Sequence, residues 1–143
     1  MPRIRSIKPE ACQSESLGRC SRDARLIFIL MWTQADDEGR LRGDSRMLAS
    51  VLLPYDEDSP IPRRTLVEAS LNELATAGCI RRYEVNGDHY IDIPNWLKHQ
   101  KIDRPSPSKL PSFDVSSSNP RRILDVSSTQ KAVGGEGKGR DQG

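Results

Sequence analysis

The sequence predicts a mainly α fold with a small β-hairpin, a winged helix-turn-helix over residues 21–104. Three observations point to it. Three helix-periodic segments follow in order, an Asn86-Gly87 turn joins two strand-like runs directly after the third, and the composition changes at Arg104.

The first helix begins at Ser21, a favourable N-cap, and Ala24, Ile27, Phe28, Met31 and Trp32 then recur on one face. Leu26, Ile29 and Leu30 cover much of the other side. A helix apolar on two sides is central to its domain or shares its second side with a partner, so a homodimer is an expectation. The polar run Asp36-Asp-Glu-Gly39 ends it and reads as a solvated turn rather than a metal cluster. A second helix spans Ser45 to Leu53, capped by Asp44 or Ser45 and stopped by Pro54. The third runs from Arg63 or Arg64 to Ala77, with Val67, Leu71 and Leu74 as its stripe and Gly78 at the C′ position.

The hairpin follows. A two-residue Asn-Gly loop fixes the register, so Val85 faces Asp88, Glu84 faces His89, Tyr83 faces Tyr90, Arg82 faces Ile91, Arg81 faces Asp92 and Ile80 faces Ile93. Ile80, Ile91 and Ile93 suit a core face, while the tyrosine pair and the Arg81–Asp92 pair suit the other. After Pro94, Trp96 and Leu97 in a short helix or turn pack back on the domain, with Trp96 as a core plug.

Residues 1–20 read as an N-terminal arm and residues 105–143 as a disordered Pro/Ser/Gly-rich tail, too poor in apolar groups to offset the entropy of ordering. The longest apolar run, Leu26 to Trp32, is far shorter than the roughly 20 residues a membrane span needs. The basic start lacks an apolar stretch and does not read as a secretory signal. Three cysteines without a C-x-x-C pair read as free thiols in a reducing cytoplasm.

Residues 1–103 carry 15 Lys/Arg against 16 Asp/Glu, and residues 104–143 carry 7 against 4. The folded part is therefore no generally basic body, and nucleic-acid contacts have to come from local patches. In the winged-helix arrangement the third helix enters the major groove and the wing touches backbone. The candidate DNA-binding residues are Arg63, Arg64 and Thr65 at the start of the third helix, Arg82 on the wing, and Lys98, His99 and Lys101 beyond it. Two adjacent arginines at a helix N-terminus sit where the dipole disfavours them, which asks for a partner. Glu68 and Glu73 on the same helix would repel phosphate. Arg81 is assigned to its pair with Asp92. Arg3, Arg5 and Lys8 form a second basic group, either a DNA-reaching arm or a solvated terminus. No nucleophile–base pair, P-loop or zinc spacing is present, so no catalytic residue, metal or cofactor is expected.

Four segments carry a resemblance: Arg3-Ile-Arg-Ser-Ile-Lys-Pro-Glu10, Cys20-Ser-Arg-Asp-Ala-Arg-Leu26, Ala35-Asp-Asp-Glu-Gly39 and Trp96-Leu-Lys-His-Gln-Lys-Ile-Asp-Arg-Pro105. In this order they resemble a family of phage and prophage replication-initiation or helix-turn-helix proteins common in phages of actinobacteria. The resemblance covers about residues 1–105. It implies a winged-helix origin-binding or replisome-organising protein of the bacterial host cytoplasm, acting on double-stranded DNA at the nucleoid, with a tail that engages replisome proteins. The competing expectation is a winged-helix adaptor that docks a protein and reads no DNA. The near-neutral body and the acidic stretch 56–58 favour that alternative.

Overall fold

A computed structural model of the chain describes residues 2–113. Its elements are a 3-10 turn Pro9–Gln13, α1 (Glu15–Gly18), α2 (Arg22–Met31), a 3-10 turn Trp32–Gln34, β1 (Arg40–Arg42), α3 (Ser45–Leu52), α4 (Arg63–Thr76), β2 (Arg81–Val85), β3 (Asp88–Asp92) and α5 (Trp96–His99). The caps foreseen from sequence are in place: the Ser21 hydroxyl accepts from the Ala24 N–H at 3.1 Å, and the Asp44 carboxylate accepts from the Met47 N–H at 3.3 Å. Gly78, at φ +84°, closes α4.

Helices α2 and α3 both pack on α4. Ala24, Ile27, Met31, Leu48, Val67, Leu71 and Leu74 meet there, each almost wholly excluded from solvent. Ile80, Leu41, Ile91 and Ile93 seal the same core from the sheet. Asn86 and Gly87 take φ of 52° and 86°, and the pairs from Val85–Asp88 to Arg81–Asp92 stand in the expected register, while Ile80 and Ile93 lie just beyond the strand ends. Tyr83 and Tyr90 stack at 5.7 Å, and Arg81 pairs with Asp92 at 2.7 Å.

The sheet has a third strand that the sequence reading lacks. β1 pairs antiparallel with β3, giving the order β1-β3-β2. With β1 between α2 and α3, the topology is that of a winged helix with a complete sheet rather than a bare hairpin. β1 has only three residues, too short for a period-two pattern to stand out.

Both flanking segments also depart from expectation. The arm is fastened: the Arg3 N–H donates to the Thr33 carbonyl at 2.9 Å, and Arg5 donates to the carbonyls of Trp32 and Ala35 and to Asp37. The Ser6 N–H donates to Gln100 Oε1, and Gln100 Nε2 donates back to the Ser6 carbonyl at 2.7 Å. Residues 106–113, expected to be disordered, lie as a strap across the outer face of the sheet. The Tyr83 hydroxyl donates to the Pro111 carbonyl at 2.7 Å, Arg40 to the Leu110 carbonyl at 3.3 Å, and the Phe113 ring meets Tyr83 edge-on. Ser106 and Ser108 reach the Asp36–Glu38 turn, Ser106 through its N–H to Asp37 and Ser108 through its hydroxyl to Asp36. That turn is thus the clamp for arm and strap, not a solvated loop. The remainder of the expected tail, 114–143, lies outside the described residues.

Trp96 is a core plug as expected, edge-on to Trp32 with centroids 6.5 Å apart and under the Arg5 guanidinium. Gly39, at φ +82°, lies so close that a Cβ there would stand 2.7 Å from the indole. Among the described residues no helix is long and apolar enough to cross a membrane, and no group of three metal-ligating side chains occurs.

Candidate nucleic-acid interface

The fold separates the seven candidate residues. Arg64 and Thr65 are exposed in the first turn of α4, and the Arg64 side chain has no ionic or hydrogen-bond partner among the described residues. Arg63 is used internally. Its guanidinium donates to the carbonyls of Leu53 and Pro54 at 3.1 and 3.2 Å and stands 3.8 Å from Glu57, tying the α3–α4 connection to the helix start. The partner that two N-terminal arginines ask for is thus, for Arg63, the protein itself.

Arg82 is a second correction. Facing Ile91 across the hairpin, it points to the core side, but its guanidinium does not reach solvent as a phosphate contact would. It meets Glu68 at 2.7 and 3.0 Å and Asn72 at 2.7 Å, with 7% of the side chain exposed. The hydrogen bonds from Arg82 hold the Glu68 carboxyl below its ordinary range against the opposing effect of burial, and Ser45 assists. Glu73 is also engaged: its two oxygens accept from the N–H and hydroxyl of Ser21 at 2.7 and 2.9 Å, so α4 braces the cap of α2. Ser70 of α4 is buried.

These pairs align the wing with the helix. β2 runs back along α4, so that Arg82 lies against Glu68 and Asn72, and the Gly43 N–H donates to the His89 carbonyl at 2.8 Å. Ser45 and His89 both act on Glu68, one turn into α4. The starts of α3 and β3 therefore border α4 at Glu68, one turn after Arg64 and Thr65, and Arg46 and His89 are exposed there. Arg46 and His89 were not singled out from sequence, because only the tertiary packing brings them to α4. The Asp44-Ser45 cap ahead of Arg46 was the one local signal.

Lys98, His99 and Lys101 lie elsewhere. Lys98 and His99 border a cleft of about 420 Å³ with Lys8, Gly78 and Cys79, at the C-terminal end of α4. A helix of 14 residues is about 20 Å long, so this cluster and Arg64 stand at opposite ends of it. Lys8 Nζ donates to the Lys98 carbonyl at 2.7 Å. His99 titrates below its usual range, first because of partial burial and then because Lys8 and Lys98 repel its proton. The arm thus adds Lys8 to the cluster, while Arg5 is spent on the fold.

Compared with known proteins, the chain matches no family model, no curated protein and no solved structure.

Proposed function

We propose that this is a winged-helix protein that binds duplex DNA, placing the N-terminal half of α4 in the major groove and the wing against the backbone. The observation that carries the reading is the internal use of both acids on α4. With Glu68 held by Arg82 and Glu73 by Ser21, the phosphate-repelling charges foreseen on this helix are neutralised or engaged. Arg64 and Thr65 on α4 and Arg46 on α3 remain exposed. Arg64 and Arg46 supply charge to phosphates or guanine edges, and Thr65 a hydroxyl to either. On the resemblance of its motifs, the cellular role is replication initiation or replisome organisation in a phage-infected cell.

Fluorescence anisotropy with duplex DNA across salt concentrations tests this. Affinity is expected to fall steeply with salt, and Arg46→Glu with Arg64→Glu to weaken binding by at least about tenfold while lowering the salt slope. Unchanged affinity in the double variant would overturn the assignment of this face.

The adaptor reading keeps one specific support. The α3–α4 connection presents Tyr55, 96% exposed, and Ile61 amid Asp56, Glu57 and Asp58, a surface suited to a protein rather than to phosphate. No DNA binding at low salt, with association to a replisome protein lost in Tyr55→Ala, would favour it. Self-association would use the outer side of α2, where Leu26 is half-exposed. Sedimentation of the wild type against Leu26→Glu tests that contact.

A further inference from the structure

Cys20 and Cys79 are 59 positions apart in the chain, yet the fold brings them together at the seam between α2 and α4. Cys20 immediately precedes the cap of α2, and its sulfur lies 3.9 Å from the Glu73 carbonyl in the last turns of α4. Cys79 follows the terminating Gly78 and donates its N–H to the Leu74 carbonyl at 2.9 Å. The Glu73–Ser21 bonds fasten the same two chain segments. Each thiol lies close enough to perturb the other electrostatically, at the edge of the apolar core. Cys20 is buried, whereas Cys79 lines a cleft whose charged groups are Lys8, Lys98 and Glu10, with His99 held toward its neutral form, leaving one net positive charge.

We propose that Cys20 and Cys79 are a disulfide-forming pair, oxidised through this cationic cleft by a small anionic disulfide. The thiolate of Cys79 attacks one sulfur of the reagent and displaces one thiolate, giving a mixed disulfide. The sulfur of Cys20 then attacks the Cys79 sulfur and displaces the second thiolate. Two protein thiols and one small disulfide become one protein disulfide and two small thiols, the protons passing to the leaving sulfurs. The new bond links the start of α2 to the end of α4 and closes a long loop, which restrains the unfolded chain and latches the helix pair. Burial raises both thiols above their ordinary range, Cys79 to about 11, so few thiolates are present near neutrality and the exchange is slow there and faster as pH rises. Cys12 is exposed and takes no part.

The test is to treat the full chain with oxidised glutathione, quench in acid, alkylate in denaturant and map the peptides. The expected result is a Cys20–Cys79 crosslinked peptide in monomeric protein, formed faster at pH 9 than at pH 7. Cystamine, a cationic disulfide, is expected to react several-fold more slowly. The crosslink persists in Cys12→Ser and raises Tm by at least about 5 °C. The proposal is overturned if Cys20 and Cys79 both remain alkylatable, if Cys79 stops at the mixed disulfide, or if all oxidation runs through Cys12. None of these results depends on whether DNA is bound.

Discussion

Arg82 shows how one side chain can carry opposite meanings until its neighbours are known. On the hairpin pattern it faces Ile91, an unexplained cation among isoleucines. In the fold it neutralises Glu68 and fills Asn72, and so clears the exposed face of α4 of a free carboxylate. Arg82→Ala leaves that carboxylate unpaired. Because the Glu68 side chain is 44% exposed and can rehydrate, the expected loss of stability is about 2 kcal/mol, below that for a fully buried pair, read by denaturant unfolding. The same variant is expected to weaken DNA binding by freeing a negative charge on the proposed groove face. Adding Glu68→Gln is expected to recover most of that affinity. A phosphate-contacting Arg82 would give no such recovery, which separates the two roles.

At the scale of elements, two glycines with nearly equal φ have unequal duties. Gly87 sits at the wing tip with open space where a side chain would go, so only its φ of +86° opposes substitution. Gly87→Ala is expected to cost about 1–2 kcal/mol. Gly39 has a φ of +82° and also lies against Trp96, where a Cβ would meet the indole at 2.7 Å. Gly39→Ala is expected to cost at least about 2 kcal/mol more, with the Trp96 fluorescence altered in the folded state, because the indole or β1 has to move. Equal losses in the two variants would remove the assigned role of that contact. The Asn86-Gly87 dipeptide announces its turn in the sequence. The duty of Gly39 depends on a residue 57 positions away and is invisible until the chain is folded.

Over the whole molecule, the Asp36–Glu38 turn joins the beginning and the end of the described chain. Asp37 accepts from the Ser106 N–H and from Arg5, and Arg3 lies 3.7 Å away. The Ser106 hydrogen bond, then the two arginines, hold its carboxyl below the ordinary value, while burial opposes them. A carboxyl depressed in the folded state contributes stability that is present above its unfolded value, about 3.9, and is lost as pH falls through the lower folded value. Acid is therefore expected to loosen arm and strap together, seen as faster amide exchange at Ser106. Asp37→Asn is expected to lower Tm at pH 7 and to flatten the decline of Tm in acid. Parallel decline in wild type and variant would discount this clamp.

By itself, the sequence determined the three helices, their caps, the hairpin turn and its register from Val85–Asp88 to Arg81–Asp92, because each depends on neighbours a few residues apart: helical periodicity, an N-cap hydroxyl or carboxylate, two turn residues at positive φ. It also identified Trp96 as core and Arg81 as the partner of Asp92. The tertiary structure alone decided which polar groups are free. Arg63, Arg82, Glu68 and Glu73 read as surface charges in one dimension and become internal ties in three, since their partners come from other elements. It likewise added β1, fastened residues 106–113 to the sheet, and divided one list of basic residues between the two ends of α4. Local propensity sets the elements. Which charges remain for a ligand is set by pairing across the fold, because a charge close to an opposite one is satisfied there whatever its place in the chain.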